Sequence, residues 1–179
     1  MIKFIDILKE AKQVGDIYHF TSIDNLANML KEYKSVTLDD NYSSEAGEGY
    51  FSFTRNPNIP SLSDYQKQVR LKLDGNKMSN KYKFEPYADT SSSEDYYKQG
   101  KNFESEERIS AKKNPTIDLT PYIESVVLIG IDKIKKEYPE SSSMFKDVIN
   151  DYKFIIEWFK TNGIPITFSD KETTTSNRR

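Results

Sequence analysis

The sequence predicts an α+β fold in one domain. Segments with the period of a strand and segments with the period of a helix are interspersed. They lack the regular β–α–β alternation that a doubly wound parallel sheet requires. The 179 residues include 12 Tyr and 10 Phe, which supply ring surface for a core although the apolar fraction is only 36%. No internal repeat and no linker divides the chain, so 1–170 is expected to be a single domain and 171–179 a disordered polar tail.

The elements follow in order. Phe4, Ile5, Leu8 and Ala11 recur at helical spacing, which predicts an amphipathic helix over 2–13 that Gly15 stops. "DIYHFT" is a short strand. Ser22 then caps a helix whose apolar face is Leu26, Met29, Leu30 and Tyr33. Asp24 sits in its first turn, where the helix dipole favours a carboxylate. "SVTL" is strand-like, and residues 39–49, "DDNYSSEAGEG", form a polar loop.

"YFSFT" at 50–54 has a strand's aromatic and β-branched content, and "NPNIP" breaks it. "QVRLKLD" at 68–74 alternates, so Val69, Leu71 and Leu73 are expected to point inward. Residues 75–102 are polar and tyrosine-rich, and are expected to be mostly loop with a helical turn near Asp95. The apolar run "IESVVLIGID" is expected to be the central strand of its sheet. The last long helix is expected over 142–163, with a stripe of Phe145, Val148, Ile149, Tyr152, Ile155, Ile156 and Phe159, and Gly163 at its end. That stripe is core or an oligomer interface. "IPITF" is a final short strand.

Composition excludes several chemistries. The net charge of −2 gives no general attraction to nucleic acid or anionic membrane, though a local basic patch is compatible with it. The chain has no Cys, so thiolate catalysis and cysteine metal sites are ruled out, and one His makes a histidine-built metal site implausible. No apolar run approaches the ~20 residues of a membrane span. "MIKFIDILKEAKQVG" lacks a signal peptide's apolar stretch and cleavage site, so a cytoplasmic setting is the expectation.

Three short stretches carry functional signals. The first is "YHFTSIDNLANML", with the only His in the chain at a strand end, a hydroxyl residue two positions on, and Asn–Leu followed by an apolar pair on a helix. The second is "GEGYFSFTRN", and the third is "ESEERI". In this order they resemble the motifs of ADP-ribosyltransferases of the His–Tyr–Glu type. The start is similar to that of DNA-targeting ADP-ribosyltransferase toxins, and "YHFTS", "SFTRN", "VRLKLDGNKMS" and "EERI" are similar to runs in short bacteriophage proteins. Phe20 stands where the His–Gly–Ser/Thr pattern has glycine.

The resemblance implies an ADP-ribosyltransferase-like split β-sandwich with flanking helices, with NAD as co-substrate in the cleft between two small sheets. It implies that His19 donates a hydrogen bond to an NAD ribose and that Thr21 helps hold NAD. A Gly–x–Gly–x–Tyr–Phe strand in the family carries a Tyr that stacks on nicotinamide, which points to Tyr50. A second register, similar to the Ser–Thr–Ser strand of arginine-modifying enzymes, features Ser52 and Thr54 instead. Arg55 and Arg70 are candidate clamps for the NAD phosphates.

For the catalytic carboxylate two registers are open. Glu107–Arg108–Ile109 resembles the Glu–Tyr–Ile of the polymerase-type branch. Glu106, with Glu104 two before it, matches the Glu–x–Glu of arginine-modifying enzymes. Glu107 is favoured, because Ser105 lies two before it and the first motif is of the His type. A carboxylate there stabilises the oxocarbenium-like charge that develops as nicotinamide leaves.

The implied activity is cleavage of the nicotinamide–ribose bond and transfer of ADP-ribose to a macromolecule, protein ahead of nucleic acid, in the host cytoplasm if phage-encoded. No metal and no membrane are implied. The rival is a catalytically inactive binding or virion-associated bacteriophage protein of the same fold. A tRNA 2′-phosphotransferase relative is disfavoured, since it needs several basic and His residues around a phosphate. Tyr82, Tyr87, Tyr96 and Tyr97 are candidates to stack on a base or to pack on the domain.

Overall fold

The strand "DIYHFT" organises the molecule. The computed structural model describes residues 14–39, 50–58, 66–87 and 106–169. In it β1 (Asp16–Thr21) is the middle strand of a seven-stranded sheet. Its neighbours are β3 (Tyr50–Thr54) and β4 (Val69–Asp74). Outward from β3 lie β6 (Glu106–Ser110) and then β5 (Glu85–Tyr87); outward from β4 lie β8 (Ile123–Leu128) and then β9 (Ile166–Phe168). Neighbours are antiparallel except β8 and β9, which are parallel. A second, two-stranded sheet joins β2 (Thr37–Asp39) to β7 (Thr116–Asp118). The architecture is α+β, as the sequence predicts.

Alternation decides which face is buried. Val69, Leu71 and Leu73 of β4, Ile17 of β1, Phe51 and Phe53 of β3, Ile109 of β6 and Val126 and Leu128 of β8 are all buried. Two long helices add to this core. In α1 (Ile23–Tyr33), Ser22 caps the first turn through its side chain, and Leu26, Met29 and Leu30 are buried. The helix ends on Lys34 in the left-handed region, φ 58°, where its N–H reaches Leu30. In α4 (Phe145–Thr161), Tyr152, Ile155 and Phe159 are buried, while Val148, Ile149 and Ile156 pack against the core from its edge. Lys31 and Asp151 tie α1 to α4.

Three features differ from the sequence expectation. Residues 75–87 are not all loop: α2 (Gly75–Ser79) follows β4 directly, with the Asp74 side chain accepting from Lys77 N–H, and β5 follows after a turn over 80–84. The strand in "IESVVLIGID" is second from the sheet edge rather than central, because β9 alone lies beyond it. The helix α3 (Ile131–Glu137) starts inside that apolar run, with Gly130 at its N-cap. The expected helix over 2–13, the rest of the 39–49 loop, the turn near Asp95 with Tyr96 and Tyr97, and the tail 171–179 lie outside the described residues.

Candidate functional site

The seven-stranded sheet has one weak join. The β1–β4 ladder is in register over all six residues from Asp16↔Asp74 to Thr21↔Val69. The β3–β6 ladder is in register from Tyr50↔Ser110 to Thr54↔Glu106. Between β1 and β3 the register is held at Tyr18↔Thr54 alone. The sheet is therefore two ladders, β5-β6-β3 and β1-β4-β8-β9, meeting at a single pair.

His19 sits one residue past that pair and bridges the join with its side chain. Its Nδ1 lies 3.2 Å from the carbonyl oxygen of Ser52. A carbonyl only accepts, so Nδ1 carries the proton, and in the neutral ring Nε2 is an acceptor. Desolvation lowers the pKa of His19 from its usual 6.5, and the hydrogen bond to Ser52 opposes this more weakly. The ring is accordingly neutral at pH 7. It lies 5.7 Å, centre to centre, from the Phe53 ring, which meets Phe84 edge-on at 5.9 Å.

Register assigns the remaining candidates to faces. Residues paired across a ladder share a face, and alternate residues along a strand share it too. Phe53 is paired with Glu107, and Thr54 with Glu106. The row His19, Phe53, Glu107 thus runs across three adjacent strands, about 10 Å from end to end. Glu106 has the opposite parity. Thr21 has the parity of His19 and is buried at the end of β1. Ser22 and Gln68 complete this corner: Ser22 Oγ accepts from Asn25 N–H at 3.4 Å, and Gln68 Oε1 accepts from Ile23 N–H at 3.1 Å.

Tyr50 and Ser52 are not brought to the His19 face. Both are half-buried on the opposite face of β3, and only the Ser52 carbonyl reaches His19. There the Arg108 guanidinium lies 5.8 Å above the Tyr50 ring. On the same face Arg70 lies 5.8 Å above the Tyr18 ring and donates to the Pro57 carbonyl at 2.9 Å. Arg55 is exposed just beyond β3. The aromatic β3 residues with the parity of His19 are Phe51 and Phe53. A usable signal was present in the spacing: the Gly–x–Gly–x–Tyr pattern leaves one residue between its second Gly and its Tyr, so alignment on Gly47 and Gly49 puts Phe51, not Tyr50, at the Tyr position.

The arrangement brings the His19 imidazole to the join between β1 and β3, beside the buried Phe53 ring, with the Glu107 position of β6 next in register. Among the described residues no group of His, Asp and Glu is placed to hold a metal ion, and no helix is long and apolar enough to cross a membrane. The chain matches no protein-family model and no curated protein sequence.

Proposed function

We propose that this chain is an NAD-dependent ADP-ribosyltransferase, with NAD bound at the join between β1 and β3 and Phe53 in place of a stacking Tyr beside His19. The observation that carries the reading is the row His19, Phe53, Glu107, which spans the join with one register parity. The single pair linking the two ladders is what a split sheet around a cleft needs. The motif order in the sequence supplies the rest.

In this reading His19 Nε2 accepts from a hydroxyl of the nicotinamide-side ribose. This revises the donor role that the resemblance implies, because the Nδ1 proton is already committed to Ser52. The main chain at Phe20–Thr21 holds the nicotinamide amide. Glu107 faces the charge that builds on the ribose as the bond to nicotinamide breaks, and nicotinamide departs with that bond's electron pair. A nucleophile of the acceptor then bonds to the same ribose carbon and releases its proton to water. Protein is the first candidate acceptor. Arg55 is a candidate for the pyrophosphate.

The test is nicotinamide release from NAD by purified protein, with and without bacterial lysate. Glu107→Gln is expected to lower release by about 100-fold or more, and Glu106→Gln by less than tenfold. His19→Ala is expected to weaken NAD binding. A protein that neither binds NAD nor releases nicotinamide would leave the inactive binding module as the better account.

A further inference from the structure

Gln68 is 1% exposed and immediately precedes β4. A glutamine seldom goes so deep unless both ends of its amide are used. Here both are. Oε1 accepts from the Ile23 N–H, the first amide of α1, at 3.1 Å, in a buried bond. Nε2 donates to Glu137 Oε2 at 3.0 Å. Glu137 is the last residue of α3 and is exposed. The backbone carbonyl of Gln68 also accepts from Ile129 N–H at 2.8 Å, and the Ile129 carbonyl accepts from Tyr152 Oη at 2.8 Å. The turn between β1 and α1 is thus anchored to the last third of the chain, to which the three motifs do not extend.

An amide side chain has two orientations, and the wrong one would aim an N–H₂ at the Ile23 N–H. Glu137 removes that ambiguity, since a carboxylate accepts only. We infer that Gln68 and Glu137 act as a positioning pair that sets the Thr21–Ser22 turn, and through it the His19 end of β1, for nucleotide binding. The nucleotide part of this inference rests on the NAD reading above. The geometric part stands without it.

The polarity of the pair gives the test. Glu137→Lys changes an exposed residue remote from the motif, yet it places a donor where Gln68 needs an acceptor, so the amide turns and Ile23 N–H loses its partner. Gln68→Glu still carries an acceptor, but its repulsion from the Glu137 carboxylate draws that side chain off the Ile23 N–H. The double variant Gln68→Glu/Glu137→Lys restores every donor–acceptor match. Two quantities are read in all four proteins: hydrogen exchange of the Ile23 amide without ligand, and the dissociation constant for NAD followed by the His19 ring signals.

Each single variant is expected to speed Ile23 exchange and weaken NAD binding, by about tenfold, and the double variant to recover to within about threefold of wild type. Loss of Ile23 protection in the single variants and its rescue in the double variant, with no NAD binding by the wild type, would uphold the positioning pair and overturn the NAD reading. Single variants that leave Ile23 exchange unchanged, or a double variant no better than the worse single one, would overturn the pair.

Discussion

Alanine at Gly75 separates two physical expectations of opposite sign. Gly75 opens α2 at the end of β4, and helix propensity alone makes Gly75→Ala stabilising by about 1 kcal/mol. The surroundings argue otherwise. The Gly75 N–H donates to the Gly15 carbonyl at 3.0 Å, and the Gly15 N–H donates to Asn76 Oδ1 at 2.9 Å. A Cβ at Gly75 would lie 2.4 Å from that same Gly15 oxygen, and 3.1 Å from Ile17 Cγ2 and Val14 Cγ1. A main-chain oxygen cannot swing aside, so the corner after β4 must part from the turn before β1. The lost hydrogen bond costs about 1 kcal/mol. Disturbed packing around Val14 and Ile17 costs about 1–3 kcal/mol. Less the propensity gain, the net loss is about 1–3 kcal/mol. For a domain of this size a loss of 2 kcal/mol lowers the melting temperature by about 4–8 °C. Urea unfolding followed by circular dichroism reads it directly, with an unchanged slope expected. A midpoint equal to or above wild type would refute the close-approach argument.

Lys34 holds φ 58° at the end of α1, so Lys34→Gly should stabilise by about 0.5–1 kcal/mol; a destabilised variant in the same unfolding assay would show that the Lys34 side chain outweighs the backbone cost. Ser22→Ala removes the acceptor for Asn25 N–H and should cost about 1 kcal/mol, read as a lower urea midpoint. The His19 pKa is lowered in the fold, so the unfolded chain takes up this proton first. The stability tied to a neutral His19 is therefore complete above pH 6.5 and is lost as the pH falls through that value toward the lower folded one. Unfolding free energy should drop more between pH 7.5 and pH 5 in wild type than in His19→Gln, and an equal drop would remove His19 as the cause.

Much of the fold was legible because its signals are local. Alternation in "QVRLKLD", the cap at Ser22 and the stripe from Phe145 to Phe159 each belong to one segment. The position of β8 was not legible, because apolar content reports burial and not rank in a sheet. The helix α3 was hidden because Ile134 is its one buried residue, which leaves no apolar period to detect. The start of α2 was hidden although Asp74 stood in the sequence as its cap. At the site, His19 and Thr21 were readable as a pair on one strand. The separation of Tyr50 from His19 and the parity of Glu107 were not, because both depend on register between strands far apart in sequence. Gln68 looked like the polar first residue of a strand, and only the folded chain shows both ends of its amide engaged.

The parallel strand β9 has a consequence for synthesis. It pairs Ile166, Thr167 and Phe168 with Val126, Val127 and Leu128, and the Pro165 carbonyl accepts from Val126 N–H at 2.9 Å. On a ribosome, β8 emerges well before its outer partner, with the whole of α4 still to be made. For that interval an apolar strand presents its unpaired backbone edge to other nascent chains, the geometry that templates aggregation. A truncated product ending within α4 would keep that edge permanently, so premature termination there should yield insoluble protein, whereas chains completed through Phe168 close it themselves.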